Sequence, residues 1–306
     1  MVPYLFYPLL ASLIAILLSA AFFLYAKQNK GNVTVAKYIL GVVGVASLIT
    51  ILVCFSVYYV REIKPIEDYS SVNSTILTIG AVAMILIIAL LYAFFGRKSN
   101  PKSDTRSVTY AAVSVALAFA LSYIRLFKLP QGGSITLVSL LPLMFYSQMF
   151  GIRKGAMVGF IYGILQAIQD PYILHPAQFL LDYPIAFAAI GLSSIFTQKG
   201  IKGVRGVALF ASGAVLAVTM RYAAHVISGI FAFAMYAGEG YSAVAWGFLY
   251  NTFAFVDMAI ALAVGIVMLS NGAFRKILNN VTYTSLPQER PEIPPVVATG
   301  EETETV

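Results

Sequence analysis

Stretches of about 20 consecutive, mostly apolar residues recur along the whole chain, separated by short breaks in which the basic residues gather. A helix of that length, rising about 1.5 Å per residue, crosses the roughly 30 Å hydrocarbon core of a bilayer. The chain therefore reads as an all-α, polytopic membrane protein. Its composition agrees: 59% of the residues are hydrophobic and 11% charged, where a soluble domain carries about 25% charge. Mean hydropathy is +0.83. The formal net charge of +7 does not point to nucleic acid, because the basic residues sit at the ends of apolar runs, where they set topology.

The runs predict about nine spans, at 3–26, 36–60, 74–96, 107–124, 135–150, 154–169, 177–197, 206–235 and 244–270. With the N-terminus outside, the inner breaks hold fourteen Lys and Arg and the outer ones four, namely Arg61, Lys64, Arg125 and Lys128. That bias predicts an external N-terminus and a cytoplasmic C-terminus. The first run lacks a basic leader and an A-x-A cleavage site and reads as a retained helix. GRKSNPKSDTR at 96–106 is basic, polar and interrupted by Pro, so 97–106 is expected to be a cytoplasmic linker. It divides a three-helix segment, 1–96, from a six-helix unit, 107–270. Residues 271–306, ending in Pro-rich and acidic sequence, are expected to be a disordered cytoplasmic tail. The first three spans offer mostly Ser, Thr and Tyr as polar groups, which predicts a structural or accessory role.

Ionisable residues inside such spans cost a few kcal/mol each, about 2.5–3.5 on insertion scales, and mark binding sites, ion paths or internal pairs. Five stand out: Asp182, Arg221, His225 and Asp257, with Asp170 nearer an edge. Helix rise converts position into depth. Asp182, His225 and Asn251 lie about five, ten and seven residues in from the outer ends of three different spans, so a pocket opening outward would gather them. Arg221 and Asp257 lie deeper, about fourteen and thirteen residues in, and are expected to pair. Each of the first three also has a plainer reading, as a helix-end carboxylate, an interhelical histidine and interhelical glue. Trp246 and Tyr250 fit an aromatic belt as well as a pocket wall. The loop from Arg125 to Ser134, rich in Gly and with a Pro, suits a flexible cover. An apolar cleft with a few convergent polar groups and aromatic rings suits a small molecule, and rings beside a carboxylate favour a flat cation.

Ala112, Ala116 and Ala120 recur every four residues on the fourth span, a face that lets another helix approach closely, either from this chain or from a separate subunit. Cys54 is the sole cysteine, so no disulfide or Cys-based metal site can form within one chain. There is no Walker A motif, no HExxH, no GxSxG and no Cys/His cluster. The pattern predicts no catalytic residues, no metal and no cofactor: a capture device energised by something else.

Three stretches carry a resemblance: YILHPAQFLLDYPIAF at 172–187, RYAAHVISG at 221–229 and WGFLYN at 246–251, with Asn251 26 positions after His225. Over about 107–270 the chain resembles the thiamine-specific S component, the substrate-binding subunit, of energy-coupling factor (ECF) vitamin transporters. The resemblance implies a six-helix fold that binds thiamine at the outer face. Tyr172, Asp182, Tyr183, His225, Gly229 and Asn251 match family positions. Asp182 stands where the family typically has Glu, one methylene longer. Phe233 sits where relatives can stack a larger ring on the ligand, Trp246 falls where relatives can have an aromatic hydroxyl, and Phe127 is the nearest substitute for a stacking lid residue in the 125–134 loop. Asp182 is then expected to offset the ligand's charge or accept from its amino group. His225 and Asn251 would hydrogen-bond to it, and Tyr172, Tyr183, Phe233 and Trp246 would stack. Ala112, Ala116 and Ala120 would contact the transmembrane coupling subunit, with two ATPase subunits supplying energy. The three extra helices depart from the family pattern. The competing readings are an S component for another vitamin or a pyrimidine precursor, a membrane scaffold or sensor, and, least favoured, a membrane enzyme.

Overall fold

The computed structural model describes residues 3–29, 32–63, 72–96 and 104–286. They form twelve helices and one small hairpin: α1 (Pro3–Gln28), α2 (Val33–Tyr58), α3 (Ser74–Phe95), α4 (Asp104–Ser122), β1 (Arg125–Lys128), β2 (Ser134–Thr136), α5 (Leu141–Phe150), α6 (Ile152–Gln169), α7 (Pro176–Leu180), α8 (Ala186–Ala188), α9 (Gly203–Phe231), α10 (Ala243–Tyr250), α11 (Phe253–Ser270) and α12 (Gly272–Thr284). The protein is an all-α, multi-pass membrane protein.

Among the described residues six helices are long and apolar enough to cross a bilayer unaided: 7–28, 33–61, 74–95, 104–122, 203–231 and 243–270. Of the other three expected spans, 154–169 is an unbroken helix and the remaining two take a different form. Much of 135–150 is used up by β2 and the turn after it, so α5 has ten residues and is too short to cross alone. α6 is 18 residues long. The run 177–197 is one broken crossing, with α7, a π turn at Leu181–Ile185, α8 and a 3-10 stretch at Ala189–Ser194 in succession. Pro184 lies inside the π turn, where it cannot donate to the helical ladder. α6 packs directly on this break: a Cβ on Gly163 would lie 2.5 Å from the Tyr183 carbonyl, so only glycine fits there.

The Gly-rich loop is also more ordered than a flexible cover. β1 and β2 pair antiparallel, Lys128 opposite Ser134, and the tip turns through Gln131 (φ 58°) and Gly132 (φ 94°). Structure does not end at Ser270 either. Asn271 caps α12 by accepting from the Ala273 and Phe274 amides. Leu278 and Val281 then pack beneath α5, while Asn279 bonds both backbone groups of Ile201. The expected disorder over 272–284 is overturned by these contacts, and 287–306 lies outside the described residues, as does most of the linker, 97–103.

Two cores result. One joins α4, α5, α9, α11 and α12; the other joins α2, α3, the broken crossing and α9. Cys54 is buried, as a small hydrophobe would be. The sheath of exposed apolar side chains on α1, such as Leu13, Leu17, Leu18 and Tyr25, is what lipid contact requires.

Candidate functional site

One cavity opens at the end of the bundle that holds the hairpin, about 880 Å³ counting the space at its mouth. All eight residues expected to form a site line it: Tyr172, Asp182, Tyr183, His225, Gly229, Phe233, Trp246 and Asn251. Each reaches it through a local feature of its element.

Asp182 sits on the π turn, whose extra residue per turn rotates it away from the regular helical face. One carboxylate oxygen lies 2.9 Å from His225 Nδ1; the other accepts from Gln178 Nε2 at 2.7 Å and Ser228 Oγ at 2.6 Å. Gln178 is four residues before Asp182, and Ser228 three after His225, so both are same-face neighbours on their helices. His225 Nε2 is buried and has no hydrogen-bond partner among the described residues. His225 is among the residues that line the cavity.

Asn251 lies at the bend between α10 and α11. Its Nδ2 donates to the carbonyls of His225 (3.1 Å) and Gly247 (2.7 Å), tying the last crossing to α9. Gly229 makes this approach possible, since a Cβ there would lie 2.7 Å from Asn251 Nδ2. The rings form the sides. Tyr172 and Phe233 lie 5.6 Å apart at 31°, and Trp246 stands 6.2 Å from Tyr250. The Tyr183 hydroxyl accepts from the Tyr172 amide at 2.9 Å and donates to the Asp170 carbonyl, holding the 170–172 turn against the wall.

The floor is the expected ion pair. Arg221 Nη1 lies 2.9 Å from Asp257, with side chains 4% and 3% exposed. The guanidinium also stacks 4.7 Å over the Phe187 ring. The other Asp257 oxygen accepts from both the amide and the hydroxyl of Thr136, each at 2.9 Å, so the floor anchors the base of the hairpin. The hairpin roofs the cavity with Gln131, Gly132 and Gly133. Its tip is held by the Tyr250 hydroxyl, which accepts from the Gly133 amide and donates to the Pro130 carbonyl. At the rim Arg125 and Lys128 both pair with Asp170, at 2.7 and 2.9 Å. Asp170 lies just past α6. Burial pushes its carboxyl up, but Lys128 and Arg125 outweigh that and hold it below the ordinary carboxylate range.

Phe127 does not line the cavity; it is 61% exposed on β1. Sequence reasoning missed Ser228, Gln178 as a partner of Asp182, the Tyr250 latch and Phe187. Among the described residues no group of three or more His, Cys, Asp or Glu could hold a metal ion.

The family model for "Thiamine transporter protein (Thia_YuaJ)" matches residues 108–278, more than half of the chain and all of the cavity. The chain belongs to this thiamine transporter family. It is 33% identical over 149 residues to the thiamine transporter ThiT of Bacillus subtilis, covering 46% of this chain and 77% of that one. It is 27% identical over 154 residues to ThiT of Lacticaseibacillus paracasei, covering 46% and 74%. The solved structure of ThiT from Listeria monocytogenes superposes with a TM-score of 0.51 at 19% identity, over 60% of this chain and 98% of that one, and shares its fold. A member of this transporter family is a substrate-binding component and not an enzyme. Helices α1–α3 fall outside the matched residues.

Proposed function

We propose that this protein captures thiamine in the cavity beneath the hairpin, at the outer face of the membrane. Delivery inward would follow within an ECF complex driven by two ATPase subunits. The observation that carries the reading is the convergence of Asp182, His225 and Asn251, from three crossings, in one aromatic-walled cavity of a thiamine-transporter-family chain. The chemistry fits in detail. Thiamine is an aminopyrimidine joined to a permanently cationic thiazolium with a hydroxyethyl arm. The Asp182 carboxylate would accept from the amino group and offset the positive charge. His225 Nε2 would supply a hydrogen bond it does not spend on the protein. Tyr172, Phe233, Trp246 and Tyr183 offer ring faces, to which a flat cation is drawn by the ring quadrupole.

The sequence carries no nucleotide-binding motif, which supports a reading in which other chains supply the energy. Ala112, Ala116 and Ala120 are all exposed on one face of α4, opposite buried Ser114 and Ala118, and would receive the coupling subunit. The fourteen-to-four distribution of basic residues supports an external N-terminus and a cytoplasmic C-terminus.

Trp246 is the sole tryptophan and lines the cavity. Titrating the purified protein with thiamine is expected to quench its fluorescence, saturating at or below micromolar ligand; no quenching in that range overturns the ligand assignment. ATP-dependent thiamine uptake by vesicles, with and without the coupling and ATPase subunits, tests the delivery step separately. Uptake that persists without them rules out the ECF mechanism.

A further inference from the structure

Helices α1–α3 precede the matched family region, yet α3 is fastened along its length to the two crossings that carry Asp182 and His225. At its start, the Asn73 amide donates to the Phe231 carbonyl at the end of α9, 3.0 Å away. Further along, Gly80 lets Ile227 of α9 approach so closely that a Cβ would lie 2.6 Å from its Cγ2. Near its other end, the Tyr92 hydroxyl donates to the buried carbonyl of Ala188 at 2.6 Å. The carbonyls at the end of α3, of which that of Tyr92 also accepts from the Gly96 amide, take side chains from the rest of the bundle. Arg153 donates to Tyr92 and Ala93 at 2.8 and 2.7 Å, and Gln198 to Phe95 at 2.8 Å.

These fastenings back the site. On α9, Arg221, His225 and Ser228 face the cavity, while Met220, Ala223 and Ile227 join the core that includes Leu77, Ala81, Met84 and Ile88 of α3. On the broken crossing, Gln178, Asp182 and Phe187 face the cavity, and Ala177, Leu181 and Ile185 face that same core. The acid of the site therefore stands on a helix that a proline and a π turn have weakened, sandwiched between an open cavity and α3. A helix with an incomplete ladder depends on tertiary contacts to keep its path.

We infer that α3 is a wall of the binding unit, and that Tyr92 is a positioning residue that holds the Asp182 crossing in register with His225 and Ser228. The inference rests on the thiamine reading for its affinity readout. It also has a readout that needs no ligand.

The test uses the full chain in detergent, with Tyr92→Phe as the probe and Tyr38→Phe, on the exposed face of α2, as control. Losing one buried hydrogen bond is worth roughly a fivefold to tenfold rise in thiamine Kd. Amide exchange over 181–190 in the ligand-free protein is expected to quicken, with Tyr38→Phe changing neither. A double-mutant cycle with Asp182→Asn separates positioning from general loosening. If Tyr92 acts through Asp182, Tyr92→Phe adds less than twofold in the Asp182→Asn background; a full additional fivefold loss there overturns the inference. Unchanged Kd and unchanged exchange in Tyr92→Phe also overturn it. If wild type fails to bind thiamine, the ligand reading falls, and exchange over 181–190 alone decides the role of α3. Should Tyr92→Phe not fold, Arg153→Gln, which releases the end of α3, replaces it with the same outcomes.

Discussion

Asp257→Asn is the substitution whose effect the structure determines most fully. Asp257 meets three donors: Arg221 through one oxygen, and the amide and hydroxyl of Thr136 through the other. The amide oxygen of Asn can keep the Thr136 contacts, so the change removes the charge and turns an NH2 donor, in place of an acceptor, toward Arg221. What remains is a guanidinium 4% exposed with no counter-charge, its Nε already lacking a partner among the described residues. Breaking a buried pair in this way costs about 3–5 kcal/mol. The Phe187 ring and the adjoining cavity relieve part of the exposed charge, so the lower end applies. At about 2–4 °C per kcal/mol for a chain of this size, the apparent Tm in detergent is expected to fall by at least about 6 °C. The apolar double variant Arg221→Met/Asp257→Leu leaves no buried charge and strands only the Thr136 donors, a cost of about 1–3 kcal/mol. It should therefore be more stable than Asp257→Asn. The charge-reversed pair, Arg221→Asp with Asp257→Arg, should recover only partly, because an arginine at 257 cannot accept from Thr136. Thermal unfolding followed by Trp246 fluorescence, with monomer recovery on size exclusion, measures all of these. An Asp257→Asn melt within about 1 °C of wild type, or an apolar double variant less stable than it, would refute the reasoning.

Gly229→Ala is expected to leave the fold intact and raise thiamine Kd on the order of tenfold or more, because its Cβ presses on Asn251 Nδ2 and displaces the last crossing from α9; Trp246 quenching reads this directly. At the rim, Asp170 is held below the usual carboxylate range by Lys128 and Arg125. The stabilisation it gives the hairpin is present above the unfolded value of about 4 and is lost as pH falls through the lowered folded value. Thiamine dissociation should therefore be flat across neutral pH and quicken only below about pH 4. In Asp170→Asn that acid limb should vanish, and a limb that survives would place the titrating group elsewhere.

What the sequence disclosed was what one dimension can encode. Helix rise converts residue number into depth, so Asp182, His225 and Asn251 could be set at one level, and Arg221 with Asp257 at a deeper one, before any contact was known. Same-face spacing would have supplied more: Ser228 and Gln178 sit three and four residues from His225 and Asp182, and both bond the carboxylate. Other features were beyond it. The apolar run 135–150 has the composition of a span, but Thr136 is claimed by Asp257 on α11, and the residues so anchored form the end of a hairpin. The Tyr250 hydroxyl reaches Pro130 and Gly133 across 120 and 117 positions, which no local pattern reveals. Tail helix α12 was hidden by its mixed composition, since its apolar face makes sense only against α5.

The charges around the cavity show why a cation would settle there. The floor cancels, Arg221 against Asp257. The rim carries Arg125 and Lys128 against one Asp170, an excess of one positive charge. The wall carries Asp182 beside His225, one negative charge with the histidine counted neutral. Rim and wall thus oppose each other in sign, and their surroundings decide between them. Lys128 is 54% exposed and Asp170 33%, so water and salt screen the rim within about a Debye length. Asp182 is 16% exposed, bordered by rings, where the effective dielectric is lower and the same charge acts several times more strongly. A cation in the cavity therefore feels the wall more than the rim. The three hydrogen bonds that Asp182 accepts fix its direction without removing its charge, which leaves that charge for the ligand to neutralise.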